Sequence, residues 1–427
     1  MLSARTTSRI IALAGALAAS AGNAAVVDVR SSTYVQGRPS YLEGEERTVI
    51  PVIEAVSLDA THVGNPLVGD LSMHLAAWGQ VDPFVTMGTR GNTADLDYAF
   101  LAGELLNGHV SLKLGRHFAF GGAGRGRQVD GASMELRVFR GLGLSAHGGL
   151  LVLPRFATGK GDAVFGARLF YRLSIDAELG LSFEQIWERG DTAYQLAGVD
   201  ARYVWRTLTF GGHATWAIDA RRFAEGDLAI TWQPTAKLQA TIDVRRTAPD
   251  LFLSRNSILS VFATQTRDGY GGDLDWRPVR LLRLQADYHY LRFGAEDGPL
   301  GDLSDESGHE AALRAGFHLQ PGLTAGVQGR WLETSGNGYV QGRLFATWAI
   351  TDALLLAIDA DLYRFKEPIR GQTHSYTGSA SLTWQLTPQW AAAVTGIASY
   401  SPYFESRFEG LFRLVYNFST RTHMELP

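Results

Sequence analysis

FGARLFYRLSIDAELGLSFEQIWERG, residues 165 to 190, alternates apolar and polar side chains on both sides of a short polar reversal. Before the reversal, Phe165, Leu169 and Tyr171 fall on one face, whereas Arg168 falls on the other. Because a repeat of two residues is that of a β-strand, the stretch predicts an amphipathic β-hairpin with a tight turn. Soluble β-sandwiches alternate in the same way, so the fold depends on how often the pattern recurs.

The alternation recurs along nearly the whole chain. We predict twenty strands of about 9 to 15 residues, the length and pattern of membrane-spanning β-strands. They cover residues 67–80, 94–105, 109–118, 129–139, 143–154, 162–173, 176–188, 194–206, 208–219, 224–233, 237–248, 267–278, 281–292, 308–318, 322–333, 337–349, 353–365, 373–386, 389–400 and 404–418.

The predicted links between these strands fall into two classes. Every second link is very short, as at Asn107-Gly108 and Thr351-Asp352, whereas the intervening links are mostly longer, notably 249–266 and 293–307. Bacterial membrane barrels have short periplasmic turns and longer extracellular loops. The division of the links therefore favours such a barrel over a soluble sandwich.

Aromatic residues recur at the strand ends that lead into the short links. Amphipathic rings at one level are typical of the interfacial girdle of a membrane protein. The predicted girdle consists of Trp205, Trp232, Trp276, Trp348, Trp384, Tyr416 and Phe418.

The second face of each predicted strand is rich in charged residues. Charges that are buried without water or a partner cost several kcal/mol each, so this face needs solvent. The fold that meets both requirements is an all-β, transmembrane, antiparallel up-and-down barrel of about 20 strands (18 to 22), apolar towards lipid and polar towards an aqueous lumen. The predicted pore-lining residues are Arg137, Arg168, Arg202, Asp243, Arg245, Arg283, Asp287, Arg314, Arg330, Arg343, Asp359, Asp361 and Arg413.

Composition and the N-terminus are consistent with export. The 427 residues include no cysteine, and no window provides the roughly 20 apolar residues of a membrane helix. Arg5 and Arg9 precede an apolar run and a small-residue site ending at Ala24, which predicts a cleavable signal peptide over residues 1–24 and a cell outer membrane location. The formal charge of −4 gives no footprint for nucleic acid.

The remaining segments complete the domain prediction. Residues 25–66 are either two further strands, which would give 22, or a segment folded inside the barrel. The membrane barrel is expected over 67–418 and a periplasmic tail over 419–427. The last predicted strand, RFEGLFRLVYNF at 407–418, resembles the aromatic-ended C-terminal signal of outer-membrane β-barrels.

A glycine-rich segment, FGGAGRGRQVDG at residues 120–131, lacks the ending of a phosphate-binding loop and precedes no predicted helix. We favour a flexible surface loop. The alternative is a loop that folds inward and constricts the pore with the charges of Arg125 and Arg127.

Residues 112–136 around this segment resemble the Gly-Arg strand, loop and Asp-Gly strand of porins and of alginate-export-type barrels. The matching residues are Gly115, Arg116, Asp130 and Gly131. The resemblance implies a single-chain pore that passes an extended polysaccharide or small solutes, with arginines lining the conduit.

No pattern of catalytic residues emerges, because the eleven histidines are scattered and form neither a metalloprotease pair nor a serine-hydrolase elbow. We therefore expect no enzyme, cofactor or metal. The favoured function is an outer-membrane conduit for polysaccharide export. Its expected partners are outer-membrane lipid, the barrel-assembly machinery and periplasmic export proteins. The alternatives are a passive solute porin, a hydrophobe transporter with an N-terminal hatch and an adhesive barrel.

Overall fold

The structure is a computed structural model, and it describes residues 26–42, 45–61, 71–82, 92–122, 124–152, 162–188, 190–248, 265–294, 296–298, 301–303 and 306–420. The predicted signal peptide at 1–24 and residues 421–427 of the predicted tail lie outside these residues. Within the described ranges, no helix is long and apolar enough to cross a membrane.

The described residues form 25 β-strands and one three-residue 3-10 turn at Phe139–Gly141. The strands are β1 Val26–Leu42, β2 Glu45–Val49, β3 Val52–Thr61, β4 Leu71–Val81, β5 Asn92–Leu105, β6 Val110–Gly121, β7 Gly124–Arg137, β8 Leu142–Leu151, β9 Ala163–Ser174, β10 Ala177–Glu188, β11 Asp191–Trp205, β12 Leu208–Ala217, β13 Arg222–Thr235, β14 Leu238–Thr247, β15 Arg267–Val279, β16 Leu282–Phe293, β17 Glu296–Gly298, β18 Gly301–Leu303, β19 Glu306–Gln320, β20 Leu323–Thr334, β21 Gly338–Thr351, β22 Leu354–Ile369, β23 Gln372–Gln385, β24 Trp390–Ser401 and β25 Phe404–Ser419.

In the described part of the chain, 22 of these strands build a closed antiparallel barrel. Closure occurs where β25 pairs with β1, in a register that runs from Asp28 opposite Ser419 to Gly37 opposite Gly410. The other side of β1 pairs with β3, while the far end of β1 pairs with β2. β17 and β18 form a separate hairpin outside the barrel sheet. Within the described residues, β1 and β25 thus have a partner on both sides, as a sheet in hydrocarbon requires.

The predicted fold class is confirmed, with the strand number at the upper end of the predicted range. Each of the twenty predicted stretches overlaps one strand from β4 to β16 or from β19 to β25. The sequence left open whether residues 25–66 form two further strands or a segment folded inside the barrel. The structure shows two wall strands there, β1 and β3. The barrel therefore begins at Val26 and not at residue 67.

The links differ partly from the prediction. From β5 onward, every link at one end of the strands has two to four residues, among them 106–109, 206–207 and 352–353. At the other end the links are mixed: 248–266 is long, whereas 122–123 and 370–371 have two residues. These links are short because the hydrogen-bonded strands continue into segments that alternation alone assigns to loops.

The wall comprises two compact units. Unit 1 consists of Met1–Leu105, Gly316–Val327 and Gln341–Pro427, and unit 2 consists of Leu106–Ala315 and Gln328–Val340. In unit 1, pairing runs from β22 through β25 to β1, β3, β4 and β5. In unit 2, it runs without interruption from β6 to β16.

Candidate functional site

One face of the wall carries large apolar side chains that nothing covers. In unit 2, Ile242 is 69% exposed and Leu181 is 62% exposed; in unit 1, Leu344 is 61% exposed. The opening stretch forms β9 and β10, and its Phe165, Leu169 and Leu179 project on this same exposed face. Contiguous apolar surface of this extent indicates contact with an apolar environment, so we call this the outer face.

The opposite face is the concave one. In unit 2, β6 contacts not only its neighbour β7 but also β8, β9 and β10. Strands that are not adjacent in a curved sheet approach each other only on its concave side. The inner face is therefore the face of Ser182 and Glu184, against which the end of β6 and β7 packs.

The thirteen predicted pore-lining residues all alternate with outer-face positions and so belong to the inner face. In β14, for example, Asp243 and Arg245 alternate with Ile242 and Val244, both of which are exposed. The others that follow this alternation are Arg137, Arg168, Arg202, Arg283, Asp287, Arg314, Arg330, Arg343, Asp359, Asp361 and Arg413.

Arg168 is the centre of a cross-strand ion-pair cluster in unit 2. Its Nε donates to Asp200 Oδ1 over 3.0 Å, and its Nη2 donates to Glu178 Oε1 over 2.8 Å. Arg172 donates to the other Glu178 oxygen over 2.8 Å. Two arginines thus face two carboxylates, so the cluster carries no net charge.

Further along the same inner face, Asp243 binds two partners. Arg245 Nε donates to Asp243 Oδ2 over 2.6 Å, and His289 Nε2 lies 3.0 Å from Asp243 Oδ1. Arg283 donates to Asp275, and Arg330 lies 2.9 Å from Glu310. Carboxylates of the same face therefore partner these arginines, which the sequence left open as ligands of acidic sugars or as a balance for nearby carboxylates, the simpler explanation.

In unit 1 the same arrangement recurs. Arg343 Nε donates to Asp359 Oδ1 over 2.9 Å, and Gln341 Nε2 donates to Asp361 Oδ1 over 2.6 Å. Arg413 stacks its guanidinium over the Tyr34 ring, 5.1 Å from the ring centre. Both units therefore hold their arginines on the wall by local contacts.

Three other predicted residues take no part in these cross-strand ion pairs. Arg202 forms no ion pair with any residue that the structure describes, and Asp287 stands directly opposite Asp273 on the neighbouring strand. Arg137 pairs with Glu135 over 2.9 Å near the short-link end of its strand.

The glycine-rich ends of β6 and β7 fold against the inner face of unit 2. We call residues 117–129 the inner hairpin. A Cβ atom added at Gly122 would lie 2.4 Å from Ser182 Cβ, and one at Gly121 would lie 2.6 Å from His147 Cε1. Only glycine permits this approach, since any side chain at either position would collide with the wall.

Charged and apolar contacts both hold the inner hairpin. Arg127 Nε lies 3.5 Å from Glu184 Oε1, and His147 Nε2 lies 3.8 Å from the second Glu184 oxygen. The Glu184 side chain is fully buried. Around these charges, apolar side chains of the hairpin pack on those of the wall, namely Ala119, Val129, Val164, Ile186, Ala193 and Tyr194.

A row of glycines lies at the base of the inner hairpin. Gly115 is aligned with Gly131, and Gly131 with Gly149 on the next strand. A Cβ at Gly131 would lie 2.1 Å from the Gly148 carbonyl oxygen, so the two backbones approach more closely than any other residue allows. Gly115 has φ +120°, a conformation that favours glycine.

The four residues of the sequence resemblance form two aligned pairs at this base. Gly115 faces Gly131, while Arg116 faces Asp130 and binds it through two hydrogen bonds of 2.7 and 2.8 Å. One step further, His117 is almost fully buried and donates from Nδ1 to the Gly115 carbonyl over 2.9 Å, while Nε2 accepts from Ser133 Oγ. These bonds hold His117 against both strands at the base of the inner hairpin.

Arg125 and Arg127 were predicted together as residues of a possible constriction. The structure describes the contact of Arg127 with Glu184, whereas the side chain of Arg125 lies outside the described residues. The partners Glu184 and His147 were missed. The available signal was an imidazole on β8 and a carboxylate on β10, both aligned with Gly166 of the strand β9 between them.

Comparison with known proteins identifies no family. No protein-family model matches the chain, and no curated protein matches it either.

Among solved structures, the chain is similar to OccAB4 of Acinetobacter baumannii, with 10% identity over 92% of this chain and 98% of that one and a TM-score of 0.46. It is also similar to a BenF-like porin of Pseudomonas fluorescens Pf-5, with 10% identity, coverage of 93% and 99%, and a TM-score of 0.47. The translocation pore of the P pilus usher PapC matches with 9% identity, coverage of 92% and 99%, and a TM-score of 0.47.

Proposed function

We propose that this chain is an outer-membrane channel through which small hydrophilic solutes diffuse passively. The observation that carries the proposal is the division of a closed wall into an apolar outer face and a charged inner face. A closed sheet satisfies its backbone groups inside a bilayer, and charged side chains on its concave side require water. An antiparallel barrel of this strand number is wide enough for an aqueous path.

The inner face supports weak selectivity for charge. Arg168, Arg245 and Arg343 each bind a carboxylate of the wall within hydrogen-bond distance. Because a neutralised guanidinium attracts a passing anion less than a free one does, these arginines do not form a continuous positive track. We therefore propose a pore that sorts solutes by size more than by charge.

The inner hairpin supplies a means of sorting by size. It packs across the inner face of β8, β9 and β10, where Gly122 meets Ser182 and Arg127 meets Glu184. A segment fixed there occupies space that the wall would otherwise leave to water. These contacts do not support polymer export, which the sequence favours. The arginines that would bind acidic sugars already have partners, and an extended polymer needs a wider path than the inner hairpin leaves.

Planar-bilayer recording and liposome swelling test the proposal. The purified chain is expected to give stepwise conductance in KCl and to admit small sugars, with rates that fall steeply as sugar size increases. The reversal potential under a KCl gradient is expected to stay close to zero. Absence of conductance in a folded, bilayer-inserted sample would contradict the channel. A conductance that long acidic polysaccharides block at low concentration would favour polymer export instead.

A further inference from the structure

Three ionisable side chains are buried together where the inner hairpin packs on the wall of unit 2. Glu184 on β10 is fully buried, His147 on β8 is almost fully buried, and 20% of the Arg127 side chain on β7 is exposed. We call these three residues the buried cluster. They come from both sides of the contact, since Arg127 belongs to the inner hairpin and the other two belong to the wall.

The contact is built around the His147 ring. A Cβ atom at Gly121 of the inner hairpin would lie 2.6 Å from His147 Cε1, and one at Gly166 of the wall would lie 2.2 Å from the same atom. The ring thus fills the space between two glycines, one on the hairpin and one on β9. The inner hairpin therefore covers the ring, and its position determines whether the buried cluster meets water.

The polar atoms of the buried cluster lie near one another without forming hydrogen bonds. Arg127 Nε is 3.5 Å from one Glu184 oxygen, and His147 Nε2 is 3.8 Å from the other, both longer than a good hydrogen bond. These four buried atoms have no hydrogen-bond partner among the residues that the structure describes. The contact therefore depends on the balance of charge within the cluster.

The other titratable side chains around the cluster have contacts of their own. On β6, His117 binds the Gly115 carbonyl and the Ser133 hydroxyl. The remaining ones are Arg168 on β9, which is held by Asp200 and Glu178; Tyr194 on β11, which packs among the apolar side chains; and Asp162, which has interactions of its own and lies four residues from Gly166, about 13 Å along the chain.

We propose that the buried cluster is a pH-sensitive switch that holds the inner hairpin on the wall at neutral pH and releases it when a proton is taken up. At neutral pH one guanidinium faces one carboxylate, so the cluster has no net charge. A proton on Glu184, on His147 or on the adjacent His117 leaves one positive charge in excess. A buried charge without a partner is costly, and hydration relieves that cost once the hairpin leaves the wall.

Only the consequence of the switch rests on the proposed function. In a channel, a released hairpin no longer occupies the inner face, so conductance is expected to rise in acid. The position of the hairpin itself can be measured without any conductance. Ala119 is the probe position, because it lies on the inner hairpin and is buried in the apolar contact with the wall.

Maleimide labelling of Ala119→Cys tests the proposal in the full-length chain, which has no native cysteine and is inserted in liposomes. A membrane-impermeant reagent is used at about pH 7.5 and at about pH 5, between which exposed histidines ordinarily take up protons. Each rate is divided by that of a separate Thr241→Cys chain at the same pH, because the ratio removes the effect of pH on the thiol. In acid this ratio is expected to rise about tenfold or more, since a buried unpaired charge is strongly destabilising.

Three further substitutions in the Ala119→Cys chain test the balance of charge. Glu184→Gln leaves Arg127 without an anion at either pH, so fast labelling is expected at both. Arg127→Met leaves a negative cluster that one proton neutralises, so the response is expected to reverse, with slower labelling in acid. Glu135→Gln is the control: its pair with Arg137 is exposed, and it lies on the same strand as Arg127, so the pH response is expected to stay as in the wild type.

An equal ratio at both pH values in the wild type would overturn the switch. A wild-type pH response in Glu184→Gln or in Arg127→Met would also overturn it, because the sensor would then lie elsewhere. Heat-dependent gel mobility is expected to show a folded barrel at both pH values, and unfolding in acid would contradict a local release. A chain that releases the hairpin in acid without conducting would refute only the channel, whereas one that conducts with labelling independent of pH would refute only the switch.

Discussion

Two long hairpins of the barrel, β6–β7 and β22–β23, have the same local topology but different surroundings. Both turn through two residues, and both have left-handed backbone there, with φ +59° at Gly122 and φ +78° at Gly371. A Cβ at Gly371 would meet nothing within 4 Å, whereas one at Gly122 would strike Ser182. The tip of the first hairpin therefore packs on the wall, and the tip of the second does not.

The difference comes from the strands below each tip. At the base of β6–β7, glycine stands opposite glycine, as at Gly115 and Gly131. At the corresponding part of β22–β23, Tyr363 stands opposite Ser375 and Arg364 opposite His374. Side chains on both strands keep neighbouring backbones apart, whereas glycines let them approach and bend. The comparison shows that glycine placement decides which hairpin packs against the inner face.

The largest expected effect is the loss of the buried ion pair of the inner hairpin. Arg127→Met leaves the fully buried Glu184 without its guanidinium partner, which is expected to lower the free energy of unfolding by about 3 to 5 kcal/mol. The matched change at the other tip, Arg370→Met, removes only an exposed stacking contact with Tyr403 and is expected to cost about 0.5 to 1 kcal/mol. Urea titration in lipid vesicles, followed by tryptophan fluorescence, measures both. If Arg127→Met and Arg370→Met lower the free energy of unfolding equally, the two hairpin tips do not differ in how they pack.

The second-largest effect on stability is expected at the row of glycines at the base of the inner hairpin. Gly131→Val introduces side-chain atoms where the Gly148 carbonyl already lies, so we expect a loss of about 1 to 3 kcal/mol in the same titration. Gly378→Val in β23 is the control, because a Cβ there meets nothing within 4 Å, and its effect is expected to stay within about 0.5 kcal/mol. If Gly131→Val leaves the free energy of unfolding unchanged, the close approach of the two backbones is not required for stability.

Shortening the inner hairpin tests its part in the pore. Replacing residues 119–127 by a two-residue Asn-Gly turn is expected to raise single-channel conductance and to admit larger sugars, because the segment on the inner face is removed. The same replacement of residues 365–373 in β22–β23 is expected to leave conductance near the wild-type value. If both deletions act alike, the inner hairpin does not restrict the path.

The smallest effect is on charge selectivity. Arg343→Gln removes the guanidinium that neutralises Asp359, so the reversal potential under a KCl gradient is expected to shift modestly towards cations. Arg370→Gln, at the tip of β22–β23, provides the control and is expected to leave the reversal potential unchanged. A shift towards anions in Arg343→Gln would contradict the pairing on which weak selectivity depends.

Alternation alone predicted the strands β4 to β16 and β19 to β25 and assigned the thirteen charged pore-lining candidates to one face, because period two fixes side-chain direction in any strand. It left β1 and β3 open. On their outer face, Ser31 and Thr33 donate hydrogen bonds to Glu54, so polar residues occupy positions where the pattern requires apolar ones. A local polar cluster of this kind hides a strand from a hydropathy pattern.

The alternation of apolar and polar residues could not predict the inner hairpin, for a different reason. Glycine has no side chain that could show which face of a strand it belongs to. The glycine-rich segment 120–131 is therefore compatible with a loop as well as with a strand. The position of this segment depends on Gly131 lying opposite Gly149 on the next strand. That alignment is a matter of strand register, which the pairing of distant segments sets and a single strand's pattern does not reveal. Ion pairs such as Arg168 with Asp200 depend on register in the same way.

The central claim is that the apolar face meets lipid and the charged face meets water, and the absence of native cysteine allows a direct test. Thr241 and Ile242 are consecutive in β14 and lie on opposite faces. Single cysteines at each position, in protein inserted in liposomes, are to be exposed to a membrane-impermeant maleimide. We predict that Thr241→Cys reacts and Ile242→Cys does not; reaction of Ile242→Cys alone would contradict the account.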